Sequence, residues 1–392
     1  MNIKAALMGM AGTLALTLFA YGQEALNTTG RMLEEDNRLT IGGYAQVDYN
    51  QSMSSGIRQN GTLDVHRMVL LFGYKFNPKT QFISEVEFEH VEEVYVEQAF
   101  LQYEIAPWIK FRGGLMLVPM GIINEFHEPP AFHGVERPNL DTYIVPTTWR
   151  EIGAGFTGVF TSVRLSYQMY LMNGFMSYDD NPNLNGESGF RKGRQKGAGS
   201  LISSPNLAFR LNYFGLSGLQ LGLSYAGGAT QSELYHGIEK SNTRAIASTD
   251  SSVVTMHMMG LDARYNLGGL QIRAQANYGA ISNSAAYNDF TGSDIGSAIF
   301  GWYGELAYDV FSHIERTESA LIPFIRYENY NTHASVENGM DANPLYNRVD
   351  ITMGIGWKMA QGAIIKLDYQ IFKNKGPEES RGQFNAGIGV WF

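Results

Sequence analysis

The chain of 392 residues contains no cysteine. This absence excludes disulfide bonds, thiolate metal sites, a cysteine nucleophile and a lipoprotein anchor. An excess of basic residues is also missing: the net charge is −9 and the pI is about 5.4. Nucleic acid is therefore not expected as a partner, because phosphate binding requires a clustered basic face. No stretch beyond the N-terminal segment reaches about 18 consecutive apolar residues, so no helical membrane anchor is expected in the mature chain.

Signatures of catalysis are missing as well. The sequence has no nucleophile elbow, no phosphate-binding glycine-rich loop and no dinucleotide fingerprint, so neither an enzyme activity nor a cofactor is predicted. The best candidates for metal ligands are Glu125, His127, Glu128 and His133. Two prolines interrupt their spacing, and no helix or strand would present them together, so no metal site is predicted among them.

The N-terminus has the order of segments found in secretory signal peptides. A short basic start is followed by an uncharged apolar run over residues 5–19 and by the small-residue segment Ala20-Tyr21-Gly22. This order predicts a cleaved signal peptide over residues 1–22 and an exported protein, with an N-terminal amphipathic or core helix as the alternative. Residues 23–38 are polar and are predicted to form a leader, either mobile or as a short helix near the periplasmic rim.

The remaining sequence favours β-strands. It contains 44 glycines, too many for a helical protein, together with 22 tyrosines and 22 phenylalanines. Residues 384–392 carry an apolar side chain at every even position, and the same period of two recurs from Leu39 onwards with turn signals between the segments. About sixteen strands are predicted, which begin near Leu39, Leu63, Gln81, Val94, Trp108, Glu151, Val163, Leu201, Leu219, Val253, Leu270, Ala298, Ala320, Arg348, Ala363 and Gln383.

The links between these strands are sorted by length. After even-numbered strands they are mostly tight, as at Asn77-Pro78-Lys79, and after odd-numbered strands they are mostly long, as over residues 118–150. Outer-membrane barrels have short turns at one rim and long loops at the other, whereas a soluble sandwich has no reason to sort its loops in this way. Two links, residues 90–93 and 312–319, depart from the rule.

Alternation alone does not say which face of the sheet is buried. A soluble sandwich would enclose its apolar side chains, whereas a membrane barrel turns them to lipid and surrounds water with polar ones. The signal peptide, the loop lengths and the closing Phe392 together favour the second arrangement. We therefore predict an all-β protein of the outer membrane, with a closed antiparallel transmembrane barrel of about sixteen strands over residues 39–392.

The third long loop, residues 118–150, has the apolar side chains that an ordered loop of this length needs. They are Ile122, Ile123, Phe126, Phe132, Leu140 and Ile144. A barrel of sixteen strands otherwise leaves a wide aqueous bore. We predict that this loop folds into the lumen and narrows the channel.

Several motifs in the first third of the chain resemble one known family. They are Asp-Val-His-Arg at 64–67, Ser-Glu-Val-Glu-Phe-Glu at 84–89, Glu-Gln-Ala-Phe-Leu at 97–101, Gly-Leu-Met-Leu-Val-Pro-Met-Gly at 114–121, Glu-Arg-Pro at 136–138 and Trp-Arg-Glu-Ile-Gly at 149–153. With them the chain resembles the phosphate-selective porin O and P family. The resemblance implies a sixteen-stranded outer-membrane porin, commonly a trimer, with its third loop folded inward.

The third loop departs from that family in its charges. Anion-selective members line the constriction with lysines, but this loop has no lysine. It carries Arg137 and Arg150 against the acids Glu125, Glu128, Glu136 and Asp141. The departure puts phosphate selectivity in question.

Two rows of charged residues are predicted to point into the lumen. Glu85, Glu87 and Glu89 lie on the third strand, and Lys110 and Arg112 lie two strands away. Rows of opposite sign across a narrow pore would orient dipolar solutes; alternatively, Arg112 pairs with a glutamate within the wall. We predict that these rows set the size and charge filter together with the charges of the third loop, Glu125, Glu128, Glu136, Arg137 and Arg150.

A further basic group lies in the fourth long loop and comprises Arg191, Lys192, Arg194 and Lys196. It would steer anions to the mouth, bind lipopolysaccharide phosphates, or simply lie in solvent.

The whole sequence predicts an outer-membrane porin for passive diffusion of small hydrophilic solutes or ions, in contact with lipid and lipopolysaccharide, with a homotrimer as a candidate assembly. Two alternatives stay open: an anion- or phosphate-selective porin, and a non-conducting barrel that presents its loops for binding or adhesion.

Overall fold

The computed structural model describes residues 26–53, 56–314, 317–337, 339–377 and 380–392. The predicted signal peptide, residues 1–22, lies outside these ranges. No helix within them is long and apolar enough to cross a membrane.

Sixteen antiparallel strands form one closed barrel. The first strand pairs with the last over most of its length, with Tyr44 opposite Trp391 and Tyr49 opposite Ala386. Closure leaves no strand edge unpaired, which a sheet surrounded by lipid requires. The strands are β1 Leu39–Met53, β2 Thr62–Asn77, β3 Thr80–Glu89, β4 Glu93–Ala106, β5 Ile109–Leu117, β6 Arg150–Phe160, β7 Leu165–Met172, β8 Asn206–Leu216, β9 Leu219–Ala229, β10 Thr255–Leu267, β11 Leu270–Ser282, β12 Ala298–Tyr308, β13 Ala320–Ser335, β14 Asn347–Ala360, β15 Ala363–Asn374 and β16 Arg381–Trp391.

The predicted strand number and barrel closure are confirmed. The largest offset is at β8, which begins at Asn206 and not near Leu201, because the preceding residues bond to a loop: the Gln231 side chain accepts hydrogen bonds from the backbone N–H and the hydroxyl of Ser203. The links also follow the predicted order, so the barrel has a short-turn rim and a long-loop rim. The β3–β4 link remains short, with His90 and Val91 at positive φ, and the β12–β13 link remains long.

The apolar face of the sheet points away from the barrel axis. Leu261, Ile272 and Leu367 keep 62%, 40% and 43% of their surface exposed. On the inner face Arg326, Glu328 and Asn385 are completely buried. This is the inverse of a soluble barrel, in which apolar side chains fill the centre, and it confirms the transmembrane arrangement.

The third loop crosses the lumen. It contains a 3-10 turn, Pro129–Ala131, and a short helix, Leu140–Tyr143. Of its six predicted anchors, five are buried, and Phe126 is half-buried beneath the guanidinium of Arg264 at 4.2 Å from the ring centre. The inward fold predicted for this loop is therefore confirmed, and its apolar residues form much of the packed interior.

A helix at the N-terminal end of the described chain, α1 Thr28–Glu34, lies inside the short-turn rim. The Asn27 side chain caps it by accepting a hydrogen bond from the Gly30 N–H at 2.8 Å. Met32 is buried in the interior cluster, and the Arg31 guanidinium lies 4.4 Å from the ring centre of Trp391 on β16. The helix thus covers part of the barrel mouth.

At the long-loop rim, three long loops fold together. Met176–Asp179 pairs with Asn181–Pro182 and with Gln231–Ser232 in a small sheet. The helices Thr243–Asp250 and Ser284–Thr291 lie in the same layer. The Ser177 hydroxyl joins these loops, because its oxygen lies 2.9 Å from the Gln231 backbone oxygen and 2.7 Å from that of Ser252, two acceptors for its single proton.

Candidate functional site

In the described part of the chain, a cavity lies in the lumen on each side of the third loop. The upper cavity, toward the long-loop rim, has a volume of about 890 Å³, and the lower cavity, toward the short-turn rim, about 180 Å³. Among the described residues, the linings of the two cavities do not overlap. The third loop and the wall residues that it contacts therefore separate them.

The predicted acidic row divides between the upper cavity and the layer beneath it. Glu87 and Glu89 line the upper cavity, and Glu87 lies 3.6 Å from Arg67 Nη1 on the neighbouring strand. Glu85 is buried below them, where it accepts hydrogen bonds from the Tyr44 hydroxyl at 3.1 Å and from Gln98 Nε2 at 2.6 Å. Of the three glutamates in this row, only Glu87 and Glu89 therefore line a cavity.

The predicted basic row faces the other side of the third loop. Lys110 and Arg112 both line the lower cavity. Arg112 Nε donates to Gln102 at 2.7 Å and Nη1 donates to the Tyr170 hydroxyl at 3.4 Å. The picture of two rows facing each other across one opening is thus corrected: the loop passes between them, which strand periodicity does not reveal. Among the ion pairs of the described residues, none joins Arg112 to a glutamate.

The charged residues of the third loop point in different directions. Glu136, Arg137 and Arg150 line the upper cavity, and Glu125 lines the lower one. Glu128 lines neither cavity, because it is buried and accepts a hydrogen bond from the Thr28 N–H at the start of α1 at 2.8 Å. The ten predicted residues therefore occupy both cavities and the layer between them.

Polar side chains of the wall bind the backbone of the third loop. Lys366 Nζ donates to the backbone oxygens of Phe132 and Gly134, each at 2.7 Å, and Asp368 accepts from the Val135 N–H at 2.6 Å. Irregular backbone inside a barrel has no strand partner, so its N–H and C=O groups need such side chains. The inward polar residues of β15 therefore fix the position of the loop.

Other strands hold the two flanks of the same loop. Gly121 adopts a φ of +69°, its oxygen accepts from Arg210 Nη1 at 3.1 Å, and the next N–H donates to Gln275 on β11 at 2.6 Å. Farther along, the Leu140 N–H donates to Glu328 on β13 at 3.0 Å. The loop is thus bonded to strands around much of the barrel.

Two buried histidines attach the loop to opposite walls. His133 Nδ1 lies 2.6 Å from Glu305 and its Nε2 lies 2.9 Å from Gln271. His127 instead faces β3 and β4, where its Nε2 lies 3.2 Å from Glu97. Glu125 and Glu128 contact other partners, so the described structure does not bring the four sequence-based metal candidates together.

Burial shifts the titration of the loop side chains. Burial raises the pKa of Asp141 to about 8, although the hydrogen bond from Gln275 opposes the shift. Burial lowers the pKa of His127, but the negative charges of Glu97 and Glu85 outweigh it and raise that pKa to about 10. A positive charge at the His127 ring therefore stabilises its contact with Glu85 and Glu97 of the wall.

Glu97 is a site residue that the sequence did not identify. A register shift between β3 and β4 at Glu85 and Val86 places both Glu97 and its neighbour Gln98 inside, with 0% and 5% of their surface exposed. Strict alternation would turn one of the two to lipid. The available signal is the pair of adjacent polar residues itself, which interrupts an otherwise alternating strand and is typical of a β-bulge.

The basic group of the fourth long loop clamps the end of the third loop. Arg191 donates to the Thr147 oxygen at 2.7 Å, and Arg194 donates to the Pro146 and Thr148 oxygens at 3.2 and 3.1 Å. Both guanidiniums also line the upper cavity, as does Lys196. Lys192 alone of the four is exposed at the surface.

A closed sixteen-stranded barrel with an apolar exterior, a polar lumen and an inward third loop defines a porin-type barrel. Solved outer-membrane proteins share the fold. OmpF of Salmonella typhi in complex with daunomycin is 12% identical, with 90% of this chain and 97% of that chain covered and a TM-score of 0.55. The anion-selective porin of Comamonas acidovorans is 13% identical over 90% and 99% of the two chains, with a TM-score of 0.54. The trimer form of OmpT from Vibrio cholerae is 12% identical over 90% and 99%, with a TM-score of 0.53.

Sequence comparison identifies a family at higher identity. An uncharacterized protein of Aquifex aeolicus (strain VF5) is 30% identical over 349 residues, which cover 84% of this chain and 75% of the relative. The chain belongs to the same family as that protein. No protein-family profile matches the sequence.

Proposed function

We propose that this protein is an outer-membrane porin through which small hydrophilic solutes or ions diffuse passively. The observation that carries the proposal is the charged cavity of about 890 Å³ inside a barrel whose outer wall is apolar. The fold shared with solved porins supports it. In this proposal residues 1–22 are a cleaved signal peptide, residues 23–38 form the leader that includes α1, and residues 39–392 form the barrel, in contact with outer-membrane lipid and lipopolysaccharide and without catalytic activity.

Solutes would enter from the upper cavity and leave through the lower one. Their path passes the layer formed by the third loop and its partners, so this layer is the proposed filter. Glu87, Glu89 and Glu136 would act with Arg137 and Arg150 at its upper face, and Lys110 and Arg112 with Glu125 at its lower face. Because the lower cavity is small, we expect a low conductance.

The upper cavity also favours anions, which supports an anion-selective porin as a more specific form of this proposal. Its basic side chains outnumber its acidic ones. Arg67, Arg137 and Arg150 line this cavity, and guanidiniums form strong charge-assisted hydrogen bonds with anions. Membership of the phosphate-selective porin O and P family would fit this preference through arginines in place of lysines.

Planar bilayer recordings of the purified protein test both the proposed channel activity and the proposed anion selectivity. We expect discrete conductance steps, and in a salt gradient a reversal potential that indicates anion preference. Arg137→Gln should shift that potential toward cations, whereas the matched control Lys192→Gln, at an exposed position, should leave it unchanged. A folded protein that gives no conductance steps would defeat the porin proposal.

The packed layer at the long-loop rim supports a second candidate, a barrel that presents a rigid surface for binding. In this layer the Tyr287 hydroxyl donates to the Ser177 oxygen at 2.8 Å, and the Thr230 hydroxyl donates to that of Ser177 at 2.9 Å, all in buried positions. Electrically silent but correctly folded barrels would favour this candidate.

The proposed homotrimer is tested separately, by the mass of the detergent-solubilised protein from light scattering.

A further inference from the structure

Three ligand-type atoms converge where the third loop meets the wall. His127 Nε2 lies 3.2 Å from Glu97 Oε2 and 3.7 Å from Glu85 Oε1. All three side chains are at least nine-tenths buried, with 2%, 0% and 2% of their surface exposed. None of the three lines either cavity, and the group lies between Arg150, which lines the upper cavity, and Gln98, which lines the lower one.

Each of the three side chains uses its other polar atom to hold a partner. His127 Nδ1 lies 3.1 Å from the Asn124 backbone oxygen, an acceptor, so Nδ1 carries the proton. Glu85 Oε2 accepts from Gln98 at 2.6 Å, and Glu97 Oε1 accepts from Arg150 at 3.3 Å. This arrangement is typical of metal ligands, whose second atom is fixed by a hydrogen bond so that the first is aimed at the ion.

The converging histidine nitrogen is buried and lies 3.2 Å from one carboxylate oxygen and 3.7 Å from another. Among the described residues, no group meets His127 Nε2 with the angles of a regular hydrogen bond. A neutral ring would point its lone pair at those oxygens, which is repulsive unless a positive species lies between them. The candidates are a second proton on the ring and a metal ion.

The separations fit a metal ion. In a tetrahedral zinc site with bonds of about 2.1 Å, neighbouring ligand atoms lie about 3.4 Å apart, close to the 3.2 and 3.7 Å seen between His127 and the two glutamates.

We propose that Glu85, Glu97 and His127 form a binding site for a divalent transition-metal ion, with zinc as the best fit to one imidazole and two carboxylate ligands. The ion would fasten the third loop to β3 and β4. The Tyr44 hydroxyl, 3.1 Å from both glutamates, would orient them. The site goes beyond the proposed channel function and does not depend on it.

Metal analysis of the purified full chain tests this proposal. After incubation with zinc and dialysis, we expect about one equivalent of zinc in the natural protein and its loss in His127→Gln. The matched control is His133→Gln, because both ring nitrogens of this second buried loop histidine already have partners. It should keep the zinc.

A second variant and a second metal keep the test decisive if the His127→Gln protein does not fold. If His127→Gln does not show the heat-modifiable mobility of a folded barrel, Glu85→Gln should still reduce zinc retention. Cobalt bound to the natural protein should give the visible absorption of a four-coordinate site, and this signal should be lost in either variant. Zinc that survives both substitutions would belong to surface groups such as His90 and Asp64, and would overturn the proposal.

A natural protein that holds neither zinc nor cobalt would also overturn it, since His127 would then carry a second proton and form an ion pair. None of these readouts involves conductance. The metal site and the porin proposal can therefore fail separately.

Discussion

The barrel wall and the third loop are built by different rules. In the wall each residue's position follows from its neighbours in sequence, because a period of two sends apolar side chains to lipid and polar ones inward. In the loop, position follows from distant partners: Lys366 and the Phe132 oxygen are 234 residues apart in sequence. The comparison shows that one strand face must serve two purposes, since the inward side chains of the wall also hold the loop.

The largest effect is expected where the two regions share a buried charge. Arg326 is completely buried, with Nη1 3.3 Å from Glu305 and Nε donating to Glu328 at 2.9 Å. Arg326→Met removes the buried guanidinium that both carboxylates share, and leaves Glu305 with His133 and Glu328 with the Leu140 N–H. We therefore expect a loss of about 3–5 kcal/mol of unfolding free energy in urea titrations from micelles. The triple variant with Glu305→Gln and Glu328→Gln should recover most of it. Unchanged stability in the single variant would contradict the role of this cluster.

A charge on the outer wall tests the other half of the comparison. Leu261 lies in the middle of β10 and points outward. Leu261→Arg should destabilise the protein by about 2–4 kcal/mol in bilayers, because the guanidinium would lie in hydrocarbon. Leu261→Ala is the control and should cost less. If arginine is tolerated as well as alanine in unfolding measurements, this face does not contact lipid.

Loosening the loop without changing the wall should open the channel. Lys366→Met leaves the Phe132 and Gly134 oxygens without their donor, which we expect to cost about 1–3 kcal/mol. Hydrogen exchange should then increase over residues 130–136, and single-channel conductance should rise. Lys79→Met, at an exposed turn on the short-turn rim, is the control. A conductance that does not change would mean that the loop does not restrict the path.

The smallest effect is expected at the N-terminal helix. Asn27 caps α1 and its Nδ2 donates to the Glu125 oxygen of the third loop at 2.6 Å. Asn27→Ala should destabilise the helix by about 1 kcal/mol, and hydrogen exchange over residues 28–34 should report it. Asn27→Asp keeps the cap and should have a smaller effect. If hydrogen exchange over residues 28–34 is equally fast in both variants, the Asn27 side chain does not stabilise the helix as a cap.

Sequence reasoning was sufficient for the wall because its signals are local. It predicted the start of β15 at Ala363 and of β12 at Ala298, and the apolar anchors of the third loop. It did not predict which wall side chains bind that loop, because those pairs join distant strands. It also missed Glu97, since a bulge turns a residue inward against the alternation. The division of the lumen into two cavities depends on the path of the third loop, and the alternation of apolar and polar residues along the strands gives no information about that path.

The most direct test of the central claim uses the absence of cysteine. Glu136→Cys places a single thiol at the upper cavity, and a charged methanethiosulfonate reagent is added during single-channel recording. We predict that the reagent reduces the conductance steps of this variant and leaves the natural protein and a Lys79→Cys control unaffected. Conductance that is absent, or that does not respond to the reagent in the Glu136→Cys variant, would contradict a solute path through the lumen past the third loop.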